Sequence, residues 1–140
     1  MNMQVFGPSD ENNVAVAKKF YEAVLIGDWE GVEKCIAKNV VVHEAEGLPY
    51  RGEHIGLHGL QSLLGTLAGY WDNMNIELNS LMAGSGVTVG LLIFTGRAKA
   101  TGKDITMPIA EVSEFENGLI SHIRPYYFDT KAMSDALGGA

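Results

Sequence analysis

The spacing of apolar residues changes near residue 74, from the three-and-four rhythm of helices to the alternation of strands. Before that point, Val14, Ala17, Phe20 or Tyr21, Val24 and Leu25 recur along one helix face. Ser9 or Asp10 can cap this helix, whose first turn is acidic and polar, and Gly27 stops it. Asp28 can cap a second, short helix carrying Trp29, Val32, Cys35 and Ile36 on one side, so the pair predicts an αα-hairpin. Val40–Glu44 is β-branched and reads as a short strand. Residues 45–53 (AEGLPYRGE) read as a loop by their glycine and proline content. A third helix follows, with Ile55, Leu60, Leu63, Leu64, Leu67 and Trp71 on its buried side. Gly56, Gly59, Gly65 and Gly69 each weaken it by roughly 1 kcal/mol relative to alanine.

From Met74 onward the period is two. Met74–Ala83, Val87–Thr101, Asp104–Asn117 and Leu119–Asp129 read as strands, and Thr130–Leu137 as a short helical tail. The breaks fall at Gly84-Ser85-Gly86, at Gly102-Lys103 and at Asn117-Gly118, the last being the strongest short hairpin signal. Helices first and a meander afterwards predict the α+β class. The expected form is a cone, a curved antiparallel (mixed) sheet with the three helices of the N-terminal half packed on its concave face. Residues 1–8, with Gly7-Pro8 as punctuation, are expected to form a flexible arm, 9–137 a single domain and 138–140 a tail.

Asp104–Asn117 holds the most informative position. As a strand it puts Ile105, Met107, Ile109, Glu111, Ser113 and Phe115 on one side, apolar except for Ser113 and Glu111. A carboxyl on an inner sheet face needs a partner, or it keeps its proton with a raised pKa. Glu111 is then either a structural group bonded to a neighbouring strand or a working acid beside a cavity. On the last strand, Ile123, Pro125, Tyr127 and Asp129 share one face, the expected pocket face.

Composition narrows the classes. The 140 residues fit one domain, and a net charge of −7 with no Lys/Arg cluster argues against nucleic acid or anionic membrane as partner. Cys35 is alone, so no intrachain disulfide can form, which fits a reducing cytoplasm. The first residues lack the charged and apolar regions of a signal peptide, and no apolar run is long enough to span a bilayer. A soluble, cytoplasmic protein is expected. No nucleophile elbow, phosphate-cradling loop or dinucleotide fingerprint is present, and no cofactor is expected. His54 and His58 stand four apart on the third helix, a spacing able to ligate a metal, but without an HExxH pattern. No metal site is expected, and His58 is placed instead at the pocket mouth.

Three stretches, FYEAVLIGDWEGV, GLPYRGEHI and EVSEFENGLISHIRPYYFD, carry a family resemblance that spans the chain to about residue 130. The chain resembles the nuclear-transport-factor-2-like superfamily, in its branch of SnoaL-like polyketide cyclases and ketosteroid isomerases. The resemblance implies Glu44 as general base and Glu111 as the protonated acid of an oxyanion hole. Phe20 falls where the family has a tyrosine donor. Tyr21 is one residue on, about 100° round the helix and so turned away from that role. Asp129 resembles the acid/base of the polyketide cyclases. A two-fold homodimer through the exposed sheet face is also implied. The candidate catalytic residues are thus Glu44, Glu111 and Asp129. The candidate ligand-binding residues are Phe20, Tyr21, His58, Trp71, Met107, Ile109, Ile123 and Tyr127. The function expected is a small-molecule-binding domain, either an acid/base isomerase or aldol-type cyclase for a hydrophobic carbonyl compound, or a non-catalytic binding or dimerisation module.

Overall fold

The computed structural model describes residues 9–139. The arm expected over 1–8 lies outside the described residues. The first helix, α1 (Asp10–Ile26), ends where Gly27 takes a left-handed φ of 72°, as a residue without Cβ can do at little strain. Ser9 occupies its N-cap without a side-chain bond. The Asp28 side chain accepts from the Gly31 N–H and caps α2 (Trp29–Glu33). Then come β1 (Ile36–Glu44), β2 (Gly52–Ile55), α3 (Gly56–Tyr70), β3 (Trp71–Gly84), β4 (Val87–Ala98), β5 (Asp104–Glu116), β6 (Leu119–Tyr127) and α4 (Thr130–Ala136).

The strands form one sheet in the order β2-β1-β6-β5-β4-β3. Neighbours are antiparallel except β1 and β6, which run parallel. The meander from β3 to β6 follows from tight turns, with Ser85, Gly86, Asn117 and Gly118 all at positive φ. α1 packs on β3, β4 and β6, while α3 packs on β1 and β2 at one edge of the sheet and on β3 at the other, so the two helices lie across the concave face. Between β5 and β6 the register shifts by one residue near Ser121. The extra residue of this bulge lets Ile120, Ser121 and Ile123 all lie buried, which strict alternation would forbid. No helix among the described residues is long and apolar enough to cross a membrane.

Several boundaries differ from those the periodicity predicts. Residues 52–55 form the edge strand β2 on β1, and Ile55, expected on the buried side of the third helix, is 57 % exposed. Ile36 begins β1 instead of sharing the face of α2. Trp71 opens β3 and is not the last turn of α3, because its backbone is already extended and pairs with Ala98. The last strand stops at Tyr127, two residues short of Asp129.

Candidate active site

A cavity of about 150 Å³ lies between the two long helices and the concave face of the sheet. Its apolar wall includes Phe20 and Val24 from α1, Leu60 and Leu63 from α3, and Leu92 and Phe94 from β4. Into this apolar space project two carboxyls, Glu44 and Glu111, and three phenols, Tyr21, Tyr50 and Tyr127.

Strand register explains why the carboxyls meet there. Glu111 on β5 lies opposite Pro125 on β6. β1 pairs with β6 through Val42 and Ile123, and two residues further the same register brings Glu44 beside that same Pro125. Glu44 and Glu111 therefore share one rung of the sheet, with Cα atoms two strand spacings, roughly 10 Å, apart. Both point inward, since Glu44 alternates in phase with buried Val40 and Val42, and Glu111 with buried Met107, Ile109 and Ser113.

Each carboxyl holds a tyrosine. The Tyr21 hydroxyl donates to Glu111 Oε1 at 2.8 Å, and the Tyr127 hydroxyl donates to Glu44 Oε1 at 2.7 Å. The expectation that Tyr21 is turned away is thereby corrected. α1 presents a face broad enough for both Phe20 and Tyr21 to reach the cavity. The slot for the tyrosine is made by Gly90, the residue directly opposite Glu111 on β4. A Cβ at that position would lie 2.9 Å from the Tyr21 hydroxyl oxygen. Ser113, on the same inward face as Glu111, also hydrogen-bonds Tyr21.

Burial sets the proton affinities. The Glu111 carboxyl is pushed up to about 7, mainly by desolvation, with the Glu44 charge adding to the rise and the Tyr21 hydrogen bond opposing it. Glu111 as a residue is partly buried, and it lines the cavity. Burial also raises Glu44, 8 % exposed, against the pull of hydrogen bonds from Tyr127 and the Ala45 backbone. Tyr21 and Tyr127 are pushed above the ordinary phenol range, chiefly by burial, and so stay protonated as donors.

Four candidates lie elsewhere. Asp129 is exposed at the N-cap of α4, where its carboxylate accepts from the Ala132 N–H at 3.0 Å. Its strand parity is inward, but the chain has already left β6 and turns into the helix. Trp71 is buried behind the wall, edge-on to Phe94 with ring centroids 5.2 Å apart, and its Nε1 donates to the Tyr50 hydroxyl. Met107 is buried outside the lining, where its sulfur accepts the Asp129 N–H. His58 is exposed, and His54 hydrogen-bonds the Tyr50 carbonyl, so the two histidines do not converge. No group of three or more His, Cys, Asp or Glu side chains able to hold a metal occurs among the described residues. Phe20, Tyr21, Ile109, Ile123 and Tyr127 do line the cavity. The sequence reading missed Tyr50, because it falls in a stretch read as loop. The available signal was Leu48 and Tyr50 alternating there, and both are buried.

A curved sheet, helices across its hollow and tyrosine-bonded acids inside define a cone-shaped α+β pocket domain. Residues 17–123 match the SnoaL-like domain, and the chain belongs to that family. No curated protein matches it significantly in sequence. Among solved structures, an NTF2-like protein of Burkholderia pseudomallei superposes with a TM-score of 0.79 at 23% identity, covering 91% of this chain and 98% of the other. A Jannaschia protein, named as a candidate SnoaL-like polyketide cyclase, gives 0.76 at 10% identity, covering 97% and 99%. A candidate isomerase of Bacillus subtilis gives 0.68 at 17% identity, covering 93% and 95%. At these identities the likeness is one of fold.

Proposed function

We propose that this domain is a cofactor-independent enzyme that moves a proton beside the carbonyl of a hydrophobic small molecule, as an isomerase or an aldol-type cyclase. The observation that carries the reading is the pair of carboxyls on one rung of the sheet, each bonded to its own tyrosine and both desolvated by an apolar cavity. Two such groups whose proton affinities differ divide the work near neutral pH. Glu111, with the pKa of about 7, keeps a proton and donates it as a hydrogen bond to the carbonyl oxygen. Glu44, raised by burial and therefore more basic than a solvated carboxylate, takes the proton from the carbon beside that carbonyl. The electron pair of the broken C–H bond moves into an enolate held by Glu111. Where a C=C is conjugated with that enolate, Glu44 returns the proton to the far carbon of the dienolate, and the double bond shifts to give an isomer. In a cyclase the enolate carbon instead attacks a second carbonyl of the same molecule, and the proton held by Glu44 passes to that carbonyl's oxygen as the C–C bond forms and its C=O π bond breaks. Tyr21 and Tyr127 hold the two carboxyls in place.

Deuterium uptake tests this without a known substrate. Neutral ketones incubated with the protein in D₂O should exchange the hydrogens beside the carbonyl, followed by proton NMR. Glu44→Gln should slow this at least about 100-fold, and Glu111→Gln by a similar factor. A second reading, a non-catalytic holder for the same ligand, draws on the almost wholly apolar wall. Ketone binding that survives in both variants, with no exchange in any of the three proteins, would establish that reading in place of the first.

A further inference from the structure

We infer that the ligand of this pocket is a neutral, single-ring carbonyl compound, and that carboxylate, phosphate and multi-ring molecules are refused. The carbonyl part of the inference rests on Glu111 as the neutral acid proposed above. The limits of size and charge stand without it.

Size comes from the cavity. A space of about 150 Å³ matches the apolar cavities that accept a benzene-sized guest. It holds one six-membered ring with a small substituent, not two fused rings. The wall has little room to yield on the sheet side, because Phe94 is backed by Trp71, which is 2 % exposed. Close-packed aromatic layers of this kind resist displacement.

Charge comes from what surrounds the ligand. Among the described residues no Lys, Arg or His lines the cavity, and the ionisable groups that do are two acids and three phenols. The arginines of the sheet are occupied elsewhere, Arg124 with Glu114 and Arg97 with Asp104. An anion inside would be stripped of water and would face two carboxyls with no countercharge. A cation would lose its hydration among apolar side chains, with Glu111 held neutral by burial and only the Glu44 carboxylate, already bonded to Tyr127, to face it.

Hydrogen-bond bookkeeping selects the functional group. The Tyr21 and Tyr127 hydroxyl protons are already committed to Glu111 and Glu44. The Glu111 proton and the hydroxyl proton of Tyr50, which accepts from Trp71 Nε1, are the donors that remain for a ligand, so the matching group is an acceptor, a carbonyl oxygen. The approach is apolar too, since Leu25 lines the cavity yet is 53 % exposed. A neutral ring can enter over such a rim without shedding a charge.

The test uses the intact protein and isosteric probes, titrated at pH 6, below the Glu111 pKa of about 7, by ligand-observed NMR and calorimetry. Benzamide and benzoate share a shape and differ in charge. Benzamide should bind, benzoate at least ten-fold more weakly, and 2-naphthamide at least ten-fold more weakly than benzamide. Cyclohexylammonium should bind no better than cyclohexenone. Benzoate binding as tightly as benzamide, 2-naphthamide matching it, the ammonium outbinding the enone, or no benzamide binding at all would each overturn the inference. The outcome is separable from the proposed chemistry. Selective benzamide binding with no deuterium uptake by any ketone sinks the catalytic reading and leaves the ligand class standing. Deuterium uptake accompanied by benzoate binding equal to benzamide does the reverse.

Discussion

Glu111 is where burial and hydrogen bonding pull a single proton in opposite directions, and burial prevails. Its pKa rises from an ordinary 4.5 to about 7 on folding. Between those two pH values the folded chain binds more protons than the unfolded one. Stability therefore falls as pH rises through that window and levels off above about 7. The ionised group costs the fold on the order of 3 kcal/mol there. Glu111→Gln, which keeps the shape and an oxygen for Tyr21, should thus raise the unfolding free energy at pH 8 by about 1–3 kcal/mol, with little change at pH 4. Urea denaturation at both pH values measures it. The difference between the two proteins at each pH cancels His43, whose lowered pKa works the other way and removes stability as pH falls below the ordinary 6.5. No gain at pH 8 would mean that Glu111 is not desolvated. Glu111 was legible in the sequence because a strand alternates strictly, and one acid in a row of Ile105, Met107 and Ile109 stands out. Tyr21 was legible as a lining candidate but not as the partner of Glu111, because a helix turns two neighbours such as Phe20 and Tyr21 to the same broad face.

The choice between those neighbours is made by another element. β4 supplies Gly90 opposite Glu111, and the missing side chain is what lets α1 approach closely enough for its tyrosine to reach β5. Nothing within α1 encodes that contact. Gly90→Ala puts a methyl 2.9 Å from the Tyr21 hydroxyl and should displace it. Since the Tyr21 bond lowers the Glu111 pKa, its loss should move that pKa above about 7. Carbon-13 NMR titration of the Glu111 carboxyl reads the shift directly, and Tyr21→Phe should shift it the same way without adding bulk. An unmoved titration in both variants would mean the hydrogen bond contributes nothing. Element boundaries show the same division between local and distant causes. Turns at Asn117-Gly118 and Ser85-Gly86 are written locally and were readable. β2 is a four-residue edge strand with no apolar alternation, created by pairing with β1, and a window on the sequence cannot detect it. Asp129 was misplaced for a similar reason. Its parity points inward, but capping α4 decides where the carboxylate goes.

The molecule has two faces of opposite use, because the strands that present Glu44 and Glu111 inward must turn their alternate residues outward. On β4 and β6 those outward residues include Leu91, 41 % exposed, and Tyr126, 58 % exposed, with Phe128 just beyond at 84 %. With Ile93, Pro108 and Ala110 they border a shallow apolar groove across the middle of the sheet. Apolar residues gathered in this way can mark a contact site, and a two-fold pairing would bury each copy of them against the other. The family resemblance leads to the same proposal, a homodimer through this surface. Sedimentation at micromolar concentration should then give twice the mass of the 15.1 kDa chain. Leu91→Glu and Phe128→Glu, which place charges at the centre and the end of the groove, should each reduce it to one chain. The cavity lies on the other side of the sheet, so the monomeric variants should still bind a neutral ring, with weaker stability in urea. A wild-type chain that sediments as a monomer across that range would remove the dimer from the account. It would leave Tyr126 and Phe128 as apolar surface that the cone exposes to water, with the acid pair behind them unaffected.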